Sequence, residues 1–167
     1  MPVIGIIETA RGVANVEKLV EQQKGQLSAI AFGAEDFITD IDRRRTIAGL
    51  EVLYARSRVV LAARVSGLQA LDHVFTMIRD HAAFRGDAQL GRQLGYNGKL
   101  CITPQQIEIA NEVFSPSVEE IDRSRRLIEA YEAAQLDGRG AFEFEGSMVD
   151  EPVLKRARAV LQLAADH

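Results

Sequence analysis

The sequence holds one cysteine, Cys101, in 167 residues. An internal disulfide is therefore excluded, which fits a reducing compartment. No apolar run approaches the ~18 residues that a membrane-spanning helix needs, so no membrane partner is expected. The N-terminus lacks the basic-then-apolar plan of a secretory signal, and together with the lone cysteine this leads us to expect a cytoplasmic protein. Positive charge is not in excess. Lys and Arg number 20 against 24 Asp and Glu, a net charge of −4, which gives no reason to expect nucleic acid as a partner. Internal repeats and low-complexity linkers are missing as well. The histidines, His73, His81 and His167, show no metal-ligand spacing, and no role is assigned to them.

What is present reads as a folded α/β chain. A hydrophobic content of 47% and a charged content of 26% are ordinary for a globular protein of this length. Ile4-Gly5-Ile6-Ile7-Glu8-Thr9 and Phe32-Gly33-Ala34-Glu35-Asp36 are apolar runs that end in carboxylates. Buried parallel strands that deliver a ligand at their C-terminal mouths look like this. If the two strands are neighbours, Glu8 and Asp36 end side by side and repel unless something neutralises them. A divalent cation is the usual answer.

Strand–helix units follow one another. The pattern predicts strands over Val3 to Glu8, Leu27 to Phe32, Leu68 to Leu71 and Lys99 to Ile102. Helices are predicted from about Val13 to Gln23, ended by Lys24-Gly25, and from about Glu51 to Val65. Further helical material, interrupted near Arg85-Gly86-Asp87, runs to about Leu94. Such alternation argues for a parallel sheet. Pro104 to Phe114 reads as a helix with proline in its first turn. Ser117-Val118-Glu119-Glu120 fits a capping box for a helix to about Gln135, ended by Gly138. Ala141 to Gly146 alternates like a hairpin or edge strand, and Val153 to Ala165 is a last helix. A closed barrel of this kind needs eight strands and ~250 residues. With four, the sheet is open, is completed by a partner, or belongs with a further N-terminal half. An open apolar edge directly after Met1-Pro2 predicts instability or obligate association.

The ordered motifs Ile7-Glu8-Thr9-Ala10, Phe32-Gly33-Ala34-Glu35-Asp36, Leu53-Tyr54-Ala55-Arg56-Ser57-Arg58, Gly98-Lys99-Leu100-Cys101-Ile102 with Pro104-Gln105-Gln106-Ile107, Phe114-Ser115-Pro116-Ser117 and Met148-Val149-Asp150-Glu151-Pro152 resemble the C-terminal part of citrate lyase β-subunit-like proteins, within the HpcH/HpaI aldolase superfamily. The resemblance runs from residue 3 to about 163. It implies a partial TIM (β/α)8 barrel, with residues 1–114 as the equivalents of strands 5 to 8. Residues 115–167 would be a helical extension with a short hairpin that packs on an adjacent subunit.

The resemblance also implies a chemistry: Mg2+-dependent cleavage or formation of short 3-hydroxyacyl-CoA thioesters of the malyl-, citramalyl- or citryl-CoA type, with an acyl-CoA and a 2-oxo acid as the other species. Carried over by motif, Glu8 and Asp36 are the metal ligands. Backbone N–H groups of Ala34, Glu35 and Asp36 bind the substrate carboxylate. Asp150 transfers the proton, working in the neighbouring subunit of a trimer or hexamer. Each residue also has a plainer reading: Glu8 and Asp36 as helix caps, and Asp150 as the N-cap of the last helix. Asp72 reads as a loop hydrogen-bonding group, Lys99 as a CoA contact or a solvated lysine, and Arg56 and Arg58 as packing and ion-pair residues. Cys101 reads as core.

Departures from the family pattern keep other readings open. The family's substrate-binding arginine has no counterpart in this chain. Thr103 stands where histidine is usual, and Ser147 where lysine is common. A truncated, non-catalytic paralogue acting as an assembly module is one alternative. A metal-dependent 2-oxo acid aldolase is another.

Overall fold

A computed structural model describes residues 2–23, 25–136 and 142–165. The chain divides into two compact units, Met1–Phe114 and Ser115–His167.

The first unit is built on a four-stranded parallel sheet. Its strands are β1 (Val3–Ile7), β2 (Leu27–Phe32), β3 (Gln69–Asp72) and β4 (Gly98–Lys99), and their order in the sheet is the order of the chain. Helices α1 (Ala10–Ala14) and α2 (Val16–Gln22) follow β1, and α3 (Ala34–Asp40) and α4 (Leu50–Val65) follow β2. Helix α5 (His81–Leu94) follows β3, and α6 (Pro104–Phe114) follows β4. Ile30, Phe32 and Ala70 of the sheet pack with Val52, Val59, Val60 and Ala63 of α4 in one continuous core. The alternate positions of β1 differ: Ile4 and Ile6 are each more than half exposed. Since successive strand residues point to opposite faces, the helices cover one face of β1, and the other is open.

Several boundaries differ from those the pattern predicts, each for a local reason. The first helix is broken at Asn15, whose side-chain amide donates to the Arg11 carbonyl at 2.8 Å. That bond offers the backbone an alternative to helix continuation. Leu68 does not open β3, because its N–H closes the end of α4 on the Ala63 carbonyl at 2.8 Å. Asp72 belongs to the strand instead. Strand β4 is shorter than predicted. Leu100 N still donates to the Asp72 carbonyl at 2.9 Å, but Ile102 N turns to the Gln106 side chain at 2.9 Å and leaves the ladder. Gly86 does not interrupt α5. The helix is fixed at its ends, by Asp80 capping Ala83 N at 2.9 Å and by Gly95, whose φ of 104° only glycine adopts easily. The short helix α3 was not predicted. Lys24 lies outside the described residues.

The second unit holds α7 (Val118–Leu136), an antiparallel hairpin of β5 (Phe142–Phe144) and β6 (Ser147–Val149), and α8 (Glu151–Ala165). The capping box forms as its motif requires. Ser117 N donates to the Glu120 carboxylate at 2.8 Å, and Glu120 N donates to Ser117 Oγ at 3.1 Å. The hairpin turns on Glu145 and Gly146, both at positive φ, which suits a two-residue loop to the strand twist. Glu145 is held in that unfavourable region by Arg123 at 2.8 Å and Arg126 at 2.7 Å. Leu127, Val149, Leu154 and Ala157 form the core of this unit. The expected helix stop at Gly138 and the start of the hairpin at Ala141 fall outside the described residues.

Candidate functional site

The mouths of β1 and β2 are brought together by the parallel register. Ile7 pairs with Phe32, and Gly33 N donates to the Ile7 carbonyl at 2.9 Å. Glu8 and Gly33 are therefore neighbours just past the strand ends. The approach is so close that a Cβ on Gly33 would sit 2.5 Å from Glu8 Cβ and 3.0 Å from Glu8 Oε2. Gly33 also caps α3, which places Ala34, Glu35 and Asp36 in its first turn. Backbone N–H groups there have no acceptor within the helix and point outward. The loop after β1 is pinned to this helix, because Ala10 N donates to the Asp40 carboxylate at 2.7 Å. Thr9 caps α1 through Gly12 N at 3.0 Å, so Glu8 is not the cap of that helix.

Glu8 is half-buried and Asp36 exposed. Among the described residues, no hydrogen bond or ion pair engages either carboxylate. Glu35 is different: Arg45 bridges it, at 3.3 Å, to Glu51, also at 3.3 Å. Arg45 thus ties α3 to α4. Glu8 and Asp36 lie on the two adjacent chain segments that leave β1 and β2.

A second constellation lies at the end of β3. Arg56 and Asp72 are fully buried and form two parallel bonds, Nε–Oδ1 at 2.9 Å and Nη2–Oδ2 at 2.5 Å. Lys99 Nζ bridges Asp72 Oδ2 at 3.0 Å and Asp87 Oδ2 at 2.6 Å. Arg56 also reaches Asp87 Oδ1 at 3.0 Å. Two cations and two carboxylates thus balance between α4, β3, β4 and α5. Burial alone would raise the Asp72 pKa, but Lys99, His73 and Arg56 beside it hold it below the usual carboxylate range. Burial and the Lys99 charge push His73 down to about 4, so it is neutral at pH 7. Its Nδ1 lies 2.7 Å from the Val74 carbonyl, while Nε2 is buried without a hydrogen-bond partner.

Asp72, His73 and Asp87 bring three donor atoms within 4.8 Å of one another. Arg56 and Lys99 already neutralise both carboxylates, so this is a structural ion-pair core and not a cation site. Lys99 is accordingly neither a solvated residue nor one free to reach a ligand, and Asp72 does more than bond a loop. The sequence carries one signal for the network: a charged residue at the end of an apolar strand, opposite an arginine inside an apolar helix.

Asp150, in the second unit, is the N-cap of α8. Its Oδ1 accepts from Val153 N at 3.3 Å and its carbonyl from Leu154 N at 3.2 Å. Arg58 is an ion-pair residue, on Glu17 at 2.8 Å. Cys101 is half-buried beside the cluster of Phe75, Phe84 and Ala110. Burial raises its thiol pKa, which suits packing and not nucleophilic work. His167 lies outside the described residues. No described helix is long and apolar enough to cross a membrane.

Known proteins share this chain's sequence and fold. The citrate lyase subunit beta-like protein of Deinococcus radiodurans is 49% identical over 161 residues, covering 96% of this chain and 56% of the relative. Human mitochondrial citramalyl-CoA lyase is 40% identical over 171 residues, covering 98% of this chain and 50% of the relative. Among solved structures, CitE from Mycobacterium tuberculosis in complex with magnesium, acetoacetate and coenzyme A superposes with a TM-score of 0.83 at 33% identity. The match covers 98% of this chain and 61% of that one. The chain thus spans about half the length of the curated relatives it matches. The HpcH/HpaI aldolase/citrate lyase family profile matches residues 1–104, and the chain belongs to that family.

Proposed function

We propose that this chain is the C-terminal part of a (β/α)8-barrel lyase. It would cleave or form the carbon–carbon bond of short 3-hydroxyacyl-CoA thioesters of the malyl-, citramalyl- or citryl-CoA type. The observation that carries the reading is the juxtaposition of Glu8 with the Gly33–Asp36 turn at the mouth of two adjacent parallel strands. Ligands collect at such mouths in (β/α) folds. The strand order, which follows the chain without reversal, supports a barrel segment over a doubly wound sheet.

Glu8 and Asp36 would hold Mg2+. They fit it: magnesium takes one or two carboxylates and fills its remaining positions with water or substrate oxygens, and among the described residues these carboxylates have no competing hydrogen-bond or ion-pair partner. Bound there, the ion would supply Lewis-acid polarisation of the 2-oxo acid. The chain's own groups do the rest. Backbone N–H groups of Ala34, Glu35 and Asp36 orient the substrate carboxylate at the helix N-terminus. Asp150, presented from an adjacent subunit, takes the proton from the acyl-CoA methyl in condensation, leaving an enolate that attacks the oxo carbon. The oxo oxygen becomes an alkoxide that takes a proton from water to give the 3-hydroxyl; in cleavage the hydroxyl proton goes to water, the carbon–carbon bond breaks, and protonated Asp150 returns its proton to the enolate carbon. The missing cationic oxygen ligand would come from elsewhere in a completed barrel.

Saturation-transfer NMR with magnesium, acetyl-CoA and oxaloacetate or pyruvate tests the substrate class. The proposal expects magnesium-dependent contact with both the thioester and the oxo acid. Contact with pyruvate alone, and none with the thioester, would move the assignment to a free-acid aldolase. Contact with neither would favour a non-catalytic module.

A further inference from the structure

We propose that Arg45 sets the cation selectivity of the mouth by withholding Glu35 from it. The inference rests on the reading of Glu8 and Asp36 as magnesium ligands. Three carboxylates, those of Glu8, Glu35 and Asp36, stand on the two segments that leave β1 and β2. Glu35 and Asp36 are consecutive in the first turn of α3. The rest of the chain treats them differently. Arg45 Nε lies 3.3 Å from Glu35 Oε1. Among the described residues, no cation pairs with Glu8 or Asp36.

Arg45 is itself held, so the pair belongs to a network and is not an isolated contact of two surface charges. Its Nη1 lies 3.3 Å from Glu51 Oε1. Thr46 fixes the same carboxylate: its N–H donates to Oε1 at 2.9 Å and its hydroxyl to Oε2 at 2.7 Å. Thr46 Oγ1 in turn accepts from Gly49 N at 3.1 Å, and Gly49, at a φ of 64°, leads into α4. The Arg45 side chain is 21% exposed and that of Glu51 16%. A guanidinium ordered in this way on Glu51 loses little further freedom in engaging Glu35.

The consequence follows from ligand count. Magnesium takes one or two carboxylates, dehydrates reluctantly and keeps its other positions for water or substrate oxygens. Calcium accepts roughly six to eight oxygens, and its affinity depends on how many of them are charged. With Glu35 on Arg45, the ion meets two carboxylates, which suits magnesium and leaves positions open for a 2-oxo acid. With Glu35 released, a third carboxylate becomes available on the turn that carries Asp36, which suits calcium. Arg45 is thus a positioning residue: it acts through Glu35 and touches neither ion nor substrate.

Isothermal titration of the 167-residue protein with MgCl2 and with CaCl2, together with carboxyl-13C NMR, tests this. In the wild type the Glu8 and Asp36 carboxyl resonances should move with magnesium and the Glu35 resonance should not. Arg45→Met should tighten calcium about tenfold, change magnesium by less than about threefold, and make the Glu35 resonance follow calcium. Loss of a positive charge would by itself strengthen both ions alike, so the ratio of the two affinities is the readout. Adding Glu35→Gln to Arg45→Met should return that ratio to the wild-type value. Circular dichroism checks the fold, and the wild-type NMR titration stands even where Arg45→Met is destabilised. A Glu35 resonance that follows magnesium in the wild type, an unchanged ratio in Arg45→Met, or a ratio that Glu35→Gln does not restore each overturns the proposal. In those cases Glu8 and Asp36 still respond, and the magnesium reading survives. No response of Glu8 and Asp36 to either ion removes that reading, and this proposal with it.

Discussion

Gly33 and Glu8 are so close that no other side chain fits between them: a Cβ on Gly33 would lie 2.5 Å from Glu8 Cβ, within a parallel ladder that cannot easily open. Gly33→Ala should displace Glu8, cost roughly 1–3 kcal/mol of stability, and weaken magnesium binding at the same time. Gly86→Ala is the contrast. That glycine lies within α5, with open space around its Cα, so alanine should stabilise by about 0.5–1 kcal/mol. Chemical denaturation of the two variants checks both signs.

The ion pairs of Arg56, Asp72, Lys99 and Asp87 make the end of β3 intolerant of single charge removal. Arg56→Met leaves the buried Asp72 carboxylate with one partner fewer. We expect a loss of about 3–5 kcal/mol. Removing both members, as in Arg56→Met with Asp72→Leu, should cost less than the sum of the single losses. Urea titrations of the two single variants and the double variant measure this coupling.

His73 makes stability fall on acidification. Its folded pKa, near 4, lies below the 6.5 of the free side chain, so between these values the unfolded chain binds the extra proton. Stability from this residue is therefore fully present above pH 6.5. It declines as pH falls, and is gone near pH 4, a change of roughly 3 kcal/mol. Asp72, whose pKa is lowered from 3.8, adds a further loss once pH drops through the carboxylate range. His73→Phe should flatten the pH 4–6.5 limb and leave the more acidic limb in place. Guanidinium unfolding across that range reads out both limbs.

Asp150 has a capping role in the structure and a proton-transfer role in the proposal, and two substitutions separate them. Asn retains the N-cap bond to Val153 N but cannot act as a base. Asp150→Asn should leave stability within a few tenths of a kcal/mol and abolish thioester chemistry, while Asp150→Ala should lose both, with about 1 kcal/mol of stability. Equal activity of Asp150→Asn and wild type would limit Asp150 to capping.

Much of the architecture was legible because it rests on short-range patterns. Leu27–Phe32 and Pro104–Phe114 fall where their apolar run and N1 proline put them, and Ser117 with Glu120 forms the box its spacing announces. Asn15 and Ile102 were harder. Each ends an element through one side-chain bond that competes with the backbone ladder, and periodicity does not register such a bond. The juxtaposition of Glu8 with the turn that carries Asp36 followed from two strand ends and a parallel register. The Arg56–Asp72–Lys99–Asp87 network did not, because its members come from four separate elements. Lys99 on a sheet edge reads as solvated until Asp72 and Asp87 are seen to enclose it.

Isothermal titration of the purified chain with MgCl2 tests magnesium binding at Glu8 and Asp36 most directly. Saturable binding that Glu8→Gln and Asp36→Asn each abolish, with unchanged circular dichroism, is the predicted result. No binding at millimolar magnesium, or wild-type binding by Glu8→Gln, would contradict it.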